Sequence, residues 1–549
     1  MGHSQAAARS AWPRVLFVLQ QALARRGVPE ATVVIAGALS PLGWAPWGIW
    51  PLALLGHAVL LAVWGARTRK GQGGLEAFVL TVLFQLAMQA VGHAWSYPAL
   101  HDRAHVPTAV ALGLSFIGMT YVAVLMAIPL ALLSTTVRRL PCAGMAGPWS
   151  LALAGAGALV CGEWLRGVGT NGFTSLSLGY ALIDSPLAGL GPVLGLFGLS
   201  LAGYALCALA AAIVLEFAAP PEGRQRGDRT NRFSAALAAS GLLFVGGALA
   251  LRTEWVEPSG RMLSFALLRA NVEQEEKFDP TSRILQVQRY LDLIEAQTAD
   301  IVLAPETALP LFLHELPPDA LQRLVQHGLA SDGHLFIGLP TQQPGGLRHN
   351  SVLQIAGGSG RQALYHKARL MPFGEFSPAG LSLLANLIDV PLKDLTPGSK
   401  DQAPLALGGG QHAGVLICQE GMVGEDARHW ARDATLLLNP SNLAWFDGTP
   451  ALAQHLQMAR MRALEVGRPV LRAANSGVTA AIDHRGQVRQ RLPLQTAGVL
   501  TGALQPMTGL TPYARWGDAA AMLLAVACLV APLWLGRARR LWRGYAAAA

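Results

Sequence analysis

Charged residues are scarce in this sequence. Only 14% of its 549 residues are Asp, Glu, Lys or Arg while 52% are hydrophobic, a balance that argues against an ordinary soluble protein. Cysteine is scarce too: Cys142, Cys161, Cys207, Cys418 and Cys528 are odd in number and lack CxxC spacing, which excludes a disulfide framework and a zinc pattern. Four of the five lie in or beside apolar blocks, where a thiol serves as a small apolar side chain. There is no Arg/Lys stripe interleaved with aromatics and no helix-turn-helix signal, so the net charge of +9 is not explained by nucleic acid. Internal repeats are absent, and the only low-complexity stretch is the polar loop 220–232.

What the chain has instead is long hydrophobic runs. A membrane-crossing helix takes about 20 residues, and spans are expected near 32–50, 51–66, 76–97, 108–136, 148–165, 190–215, 233–251 and 517–536. The second is short and follows the first through the turn Trp44-Ala45-Pro46-Trp47; losing it would invert everything downstream. The basic residues test this order, because cytoplasmic loops collect Lys and Arg. Arg25 and Arg26, Arg67 and Lys70, Arg138 and Arg139, Arg224 to Arg232, and Arg537 to Arg543 all fall on one side of an eight-span chain. Both termini are thus expected in the cytoplasm, with residues 252–516 outside, in the periplasm of a diderm cell. No small-residue cleavage site precedes the first span, so the first thirty residues read as an uncleaved cytoplasmic segment.

The character of the chain changes between 252 and 516. Apolar runs shorten to strand length at Leu263–Leu268, Ile301–Ala304, Leu335–Leu339, Val352–Ala356, Gly414–Cys418, Thr435–Leu438, Val470–Ala474 and Thr479–Asp483. Helical patterns at 281–298, 318–330 and 450–467 separate several of them, predicting an α/β layered domain. The expected organisation is therefore a membrane domain over 1–251 with about seven helices, an extracytoplasmic domain over 252–516, and a last span with a basic cytoplasmic tail over 517–549.

Three polar interruptions of apolar strands attract attention, since strand ends present side chains at the rim of a sheet. Ile301 to Ala304 runs into Pro305-Glu306-Thr307; a carboxylate partly desolvated there has its pKa raised toward neutrality, as suits a general base. Lys367 and Glu375 flank an apolar Pro372-Phe373-Gly374 turn, where an ammonium can stabilise an oxyanion and a second carboxylate can orient it. Gly414 to Ile417 delivers Cys418 at a strand end ahead of a helix-like stretch from Val423 to Trp430, a setting for a nucleophilic thiol. Taken singly, each has a bland alternative: a solvated loop Glu, a surface ion pair, an inert buried Cys.

In this order Glu306, Lys367 and Cys418 resemble the Glu-Lys-Cys triad of the nitrilase, or carbon-nitrogen hydrolase, superfamily. With spans before and after, the chain resembles the apolipoprotein N-acyltransferase family. Further matches are Pro41–Trp50, Glu163-Trp164-Leu165-Arg166-Gly167, Ser441-Asn442, the run Gln454 to Glu465, and Asn475-Ser476-Gly477-Val478-Thr479. The resemblance implies a polytopic α-helical membrane domain joined to an αββα sandwich. It also implies that an acyl chain passes from a membrane phospholipid through a Cys418 thioester to the α-amine of a diacylated apolipoprotein. Glu306 would be base and acid, Lys367 the oxyanion stabiliser and Glu375 its support. Gln419, Glu420, Phe278, Trp445, Phe446, Leu384 and Leu387 would bind substrate; no metal or organic cofactor is called for. The leucine-rich stretch 376–396 reads as an arm that dips toward lipid, against the alternative of an ordinary packed helix.

The sequence departs from the family pattern in places: Gln419 stands where Tyr is usual, Phe278 where Trp is, Leu443 where an acidic residue is, Asp447 where Gly is, and Thr174-Ser175 where a Pro-Trp pair is. A paralogue with another amine acceptor, a membrane-anchored amidase or nitrilase-type hydrolase, and a transporter or membrane scaffold using His93, Glu163 and Arg166 are the competing expectations.

Overall fold

The computed structural model describes residues 27–140, 147–217, 226–377, 392–531 and 534. Contacts divide the chain into two units: Met1–Ala94, Phe116–Thr253 and Asp518–Ala549 form one, and Trp95–Ser115 with Glu254–Gly517 form the other.

The first unit is helical. Its elements are α1 (Val28–Leu39, continued by a tight turn over Ser40–Gly43), α2 (Trp50–Arg69), α3 (Gly74–Gly92), α4 (Thr108–Arg139, whose first residues belong to the other unit), α5 (Pro148–Gly169), α6 (Gly191–Phe217) and α7 (Arg226–Ala250). Proline opens α1, α2 and α5, where a missing N–H costs nothing. Among the described residues six helices, α2 to α7 with α6 extended back to Pro186, are long and apolar enough to cross a membrane. Shorter apolar helices, Val28–Gly43 and Ala519–Ala531, occupy the places of the first and eighth expected spans, so the count of eight is approximate. The protein is a multi-pass membrane protein. The doubtful second span is the full 20-residue α2.

Small residues let backbones approach: a Cβ on Gly37 would collide with the carbonyl of Phe84 in α3. Three buried polar groups of this unit, Glu163, Arg166 and His93, hold the segment 174–178. Glu163 accepts from the Leu178 amide at 2.7 Å and from the Tyr204 hydroxyl at 2.8 Å. Arg166 donates to the Thr174 carbonyl at 3.0 Å and to Ser177 Oγ at 2.6 Å, and His93 meets Ser175 Oγ at 2.9 Å.

The second unit is built on two six-stranded sheets. The strands are β1 (Leu263–Arg269), β2 (Ile301–Leu303), β3 (His334–Gln342), β4 (Arg348–Ile355), β5 (Gln362–His366), β6 (Leu405–Gly408), β7 (Gln411–Val415), β8 (Leu436–Ser441), β9 (Val470–Ala474), β10 (Ala480–Ile482), β11 (Val488–Arg491) and β12 (Gly498–Leu504). One sheet runs β12-β1-β2-β3-β4-β5 and the other β6-β7-β8-β9-β10-β11. Along each the pairings are antiparallel, parallel, parallel, antiparallel, antiparallel, so the strand pattern repeats although the sequence does not.

Strand alternation sorts the core. Phe265, Leu267, Ile301, Leu303 and Phe336 face residues of the other sheet such as Val415, Leu436, Leu438 and Val470. Ala266, Leu268, Val302, Leu335 and Ile337 turn outward beneath α9 (Arg283–Glu295) and α10 (Pro318–Ala330). A short helix, α8 (Gln274–Lys277), precedes α9; α11 (Gly424–Trp430) and α12 (Ala451–Val466) add their apolar residues to the core on the second sheet. The result is the expected αββα sandwich. Trp95–Ser115, which hydropathy places with the membrane domain, contributes a cluster of its own: Ala104, Val106 and Ala111 pack with Trp445.

Candidate active site

Three turns carry the triad. After β2 the chain passes through Ala304 and Pro305 to Glu306, and Thr307 takes a left-handed φ of 49°. Glycine at 338 makes this possible, because a Cβ there would sit 2.7 Å from the Thr307 nitrogen and 2.8 Å from Glu306 Cα. Lys367 follows β5, its amide bonded to the Asn350 carbonyl at 2.8 Å. Cys418 lies three residues past β7 at a φ of 48°, a non-glycine conformation that costs about 1–3 kcal/mol and survives only where the surroundings impose it. Glu420 imposes it here, accepting from the amides of Ile417 at 2.7 Å, Ala368 at 2.7 Å and Arg369 at 3.1 Å, and from the Tyr365 hydroxyl at 3.0 Å. Arg462 of α12 adds a bond to the Met422 carbonyl at 2.9 Å, which gives the long 454–465 run a supporting task.

The side chains converge. Lys367 Nζ lies 3.1 Å from Glu306 Oε1 and 2.8 Å from Glu375 Oε2, with its own side chain only 2% exposed. Asn350 Nδ2 donates to both carboxylates, at 2.8 Å to Glu306 and 2.7 Å to Glu375. The Met371 amide holds the other side of Glu375 at 2.8 Å. Glu306 Oε2 is left to the backbone N–H of Asn442, at 2.9 Å, and the carbonyl of that same residue is 4.0 Å from Cys418 Sγ. One residue's backbone thus links the Glu306 carboxylate and the thiol. Beneath the nucleophile, buried Arg472 donates to Asn439 Oδ1, and Asn439 Nδ2 in turn holds the Leu416 carbonyl at 2.5 Å.

The carbon-nitrogen hydrolase family matches residues 266–513, and the apolipoprotein N-acyltransferase N-terminal domain matches residues 36–209. The apolipoprotein N-acyltransferase of Nitrosomonas europaea is 34% identical over 501 residues, covering 90% of this chain and 95% of that one. The chain belongs to the apolipoprotein N-acyltransferase family. The Azotobacter vinelandii member is 37% identical over 508 residues, 90% of this chain and 93% of its own. A solved carbon-nitrogen hydrolase from Helicobacter pylori aligns with 44% of the chain and 89% of its own length, at 15% identity and a TM-score of 0.35.

Electrostatics in this cluster correct one expectation. Burial alone would raise Glu306, as the sequence suggested, but the ammonium groups of Lys367 and Lys277 outweigh it, and the carboxyl is held below its usual range. Lys367 is drawn well above its usual value: burial opposes the charge, and Glu306, Glu375 and Cys418 more than compensate. The Cys418 thiol is pushed up to about 12, by burial first and then by Glu306, against the pull of Lys367 and Arg472. The resting pair is therefore a carboxylate beside a neutral thiol.

The remaining substrate candidates separate. Gln419 is 3% exposed, and its buried Oε1 has no hydrogen-bond partner among the described residues. Phe278 is half-buried next to Lys277, whose Nζ lies 6.0 Å from its ring centre. Trp445 and Phe446 are half-buried; Phe446 meets Trp95 edge-on at 4.9 Å, and Trp95 Nε1 donates to Gln454 at 3.1 Å. Glu420, at 1% exposure, accepts from four protein donors and ties the Cys418 turn to Tyr365, Ala368 and Arg369. Leu384 and Leu387 lie outside the described residues. Asn350, Lys277 and Arg472 join the cluster without having been marked by sequence, and Asn442 joins it with no role assigned beforehand. A signal existed for Asn442, which sits in the Ser441-Asn442 motif, while Asn350 and Arg472 are ordinary-looking strand positions. Among the described residues no cluster of His, Cys, Asp and Glu is arranged to hold a metal.

Proposed function

We propose that this protein transfers an acyl chain from a membrane phospholipid, through a thioester on Cys418, to the α-amine of the lipid-modified N-terminal cysteine of a lipoprotein. The observation that carries this reading is the convergence of a charged Glu306 and the Lys367 ammonium on a half-buried thiol, tied together through Asn442. Family membership supports the reaction class.

In the first half-reaction Sγ attacks the ester carbonyl while Glu306 takes the thiol proton. Negative charge develops on the carbonyl oxygen, and the ammonium of Lys367 is the preorganised group that meets it. Collapse breaks the ester C–O bond, and Glu306 returns the proton to the leaving alkoxide, giving thioester and lysophospholipid. In the second half-reaction the neutral amine attacks, Glu306 accepts its proton, and the C–S bond breaks as that proton passes to sulfur. Glu375 and Asn350 hold Lys367 and Glu306 in register throughout. The positive-inside pattern supports a bacterial inner-membrane protein with this unit in the periplasm and both termini in the cytoplasm.

Incubation with an alkyne-tagged phospholipid is expected to leave a hydroxylamine-sensitive label on the wild-type protein and none on Cys418→Ala. A diacylated lipopeptide should then discharge the label as an amide. Absence of label on the wild type, or its survival in Cys418→Ala, overturns the thioester. Discharge by water alone would make the protein an amidase-like hydrolase.

A further inference from the structure

Lysine is almost never fully buried without a partner, yet Lys277 is 2% exposed. Its place is the end of α8, the shortest helix of the sandwich unit described above. Lys277 Nζ donates to the backbone carbonyl of Glu306 at 2.9 Å, on the turn where Thr307 is strained. Two residues earlier on the same helix, Glu275 pairs with Arg103 at 2.9 Å. At its start, Gln274 accepts from Asn442 Nδ2 at 3.2 Å, the residue whose backbone lies between the Glu306 carboxylate and the thiol. One helical turn therefore reaches both the loop of the base and the loop beside the nucleophile.

We infer that Lys277 is a positioning residue for acyl transfer, its ammonium clamping the Glu306 turn through the carbonyl and keeping the Glu306 carboxylate charged. This rests on the reading of Glu306 as the base. The titratable groups that act on Lys277 are Glu306, from the turn after β2, and Cys418, from the turn after β7. Lys367 also acts on Glu306, and Arg472 feels the same carboxylate from β9. Burial lowers Lys277 to about 8, with Glu306 and Cys418 supporting its charge, so it remains an ammonium at neutral pH.

An uncharged side chain at this position removes the Lys277 share of the pull on Glu306 and leaves that of Lys367; an opposite charge nearby accounts for about 1–3 in carboxyl pKa. In Lys277→Met the acid limb of Cys418 acylation should therefore move up by about 1 or more on the pH axis. Lys277→Arg keeps a permanent charge and should leave that limb near its wild-type position.

The experiment measures the rate of Cys418 labelling by tagged phospholipid against pH in full-length wild type and both variants, with thermal unfolding alongside. Failure of the wild type to label defeats the thioester reading itself. Wild-type labelling combined with an unmoved acid limb in Lys277→Met, or with an equal displacement in Lys277→Arg, overturns the role given to Lys277. If Lys277→Met fails to fold, Lys277→Gln, which retains an N–H donor without charge, replaces it: an acid limb moved up supports the role, and an unmoved one overturns it.

Discussion

The two sheets of the sandwich share one strand pattern and do different work. Glu306 follows β2 and Asn442 follows β8, the strands at matching positions in the two sheets, and the two meet through a hydrogen bond of 2.9 Å. The first sheet supplies a buried carboxylate, a cation and the amide bonded beside them: Glu306, Lys367 and Asn350. The second supplies the thiol and the buried guanidinium beneath it, Cys418 and Arg472. The contrast follows strand length. On the first sheet the antiparallel edge is a hairpin of eight and five residues that carries Asn350 and leads into Lys367, whereas its counterpart β10–β11 has three and four and carries no site residue. An inert core layer sets the register between the sheets. The converging side chains are thus divided between two sheets, neither of which carries all of them.

Breaking that division should have graded effects. Glu306→Gln keeps the shape of the first sheet and removes its base; Cys418 acylation is expected to fall by about 10²–10⁴-fold, measured as the labelling rate at pH 7. Lys367→Met strips the cation from two buried carboxylates and should cost about 3–5 kcal/mol in unfolding free energy, read by thermal or denaturant unfolding in detergent. Gly338→Ala pushes on the Glu306 turn from β3 and is expected to lower the acylation rate by about 10²-fold through misplacement of the base. Recovery of wild-type rate in that variant would mean that the turn is more tolerant than its contacts imply.

The pH response follows from the sign of the Glu306 shift. A carboxyl held low in the folded protein stabilises it fully above the ordinary carboxylate range, and that contribution fades as pH falls through the lowered value. Acylation should accordingly persist below the pH at which a free glutamate becomes protonated. The smallest effect is expected at the rim: Arg103→Ala removes a largely exposed pair with Glu275 and should change stability by less than about 1 kcal/mol.

Much of this was legible in the sequence for a physical reason. Apolar runs located the membrane helices and the central strands, and polar residues ending those runs marked Glu306, Lys367 and Cys418. Edge strands were not legible: β5 and β11 have exposed faces, and β12 is interrupted by Gly498 and Gly502, so their apolar signal is diluted. The network was not legible either, because its partners are distant in the chain; Asn350 lies 44 residues from Glu306, and Asn442 lies 136 from it. That distance also hid the sign of the Glu306 shift, which depends on lysines that only the fold brings close. The attachment of Trp95–Ser115 to the sandwich unit left no trace in hydropathy.

The most direct test of the central claim is mass spectrometry of the Cys418 peptide after brief incubation with phospholipid and again after addition of a diacylated lipopeptide. The account predicts one acyl chain on Cys418 in the first sample and its reappearance as an amide on the lipopeptide in the second. Acyl transfer to the lipopeptide with Cys418 never modified, or an acyl chain on another residue, would contradict it.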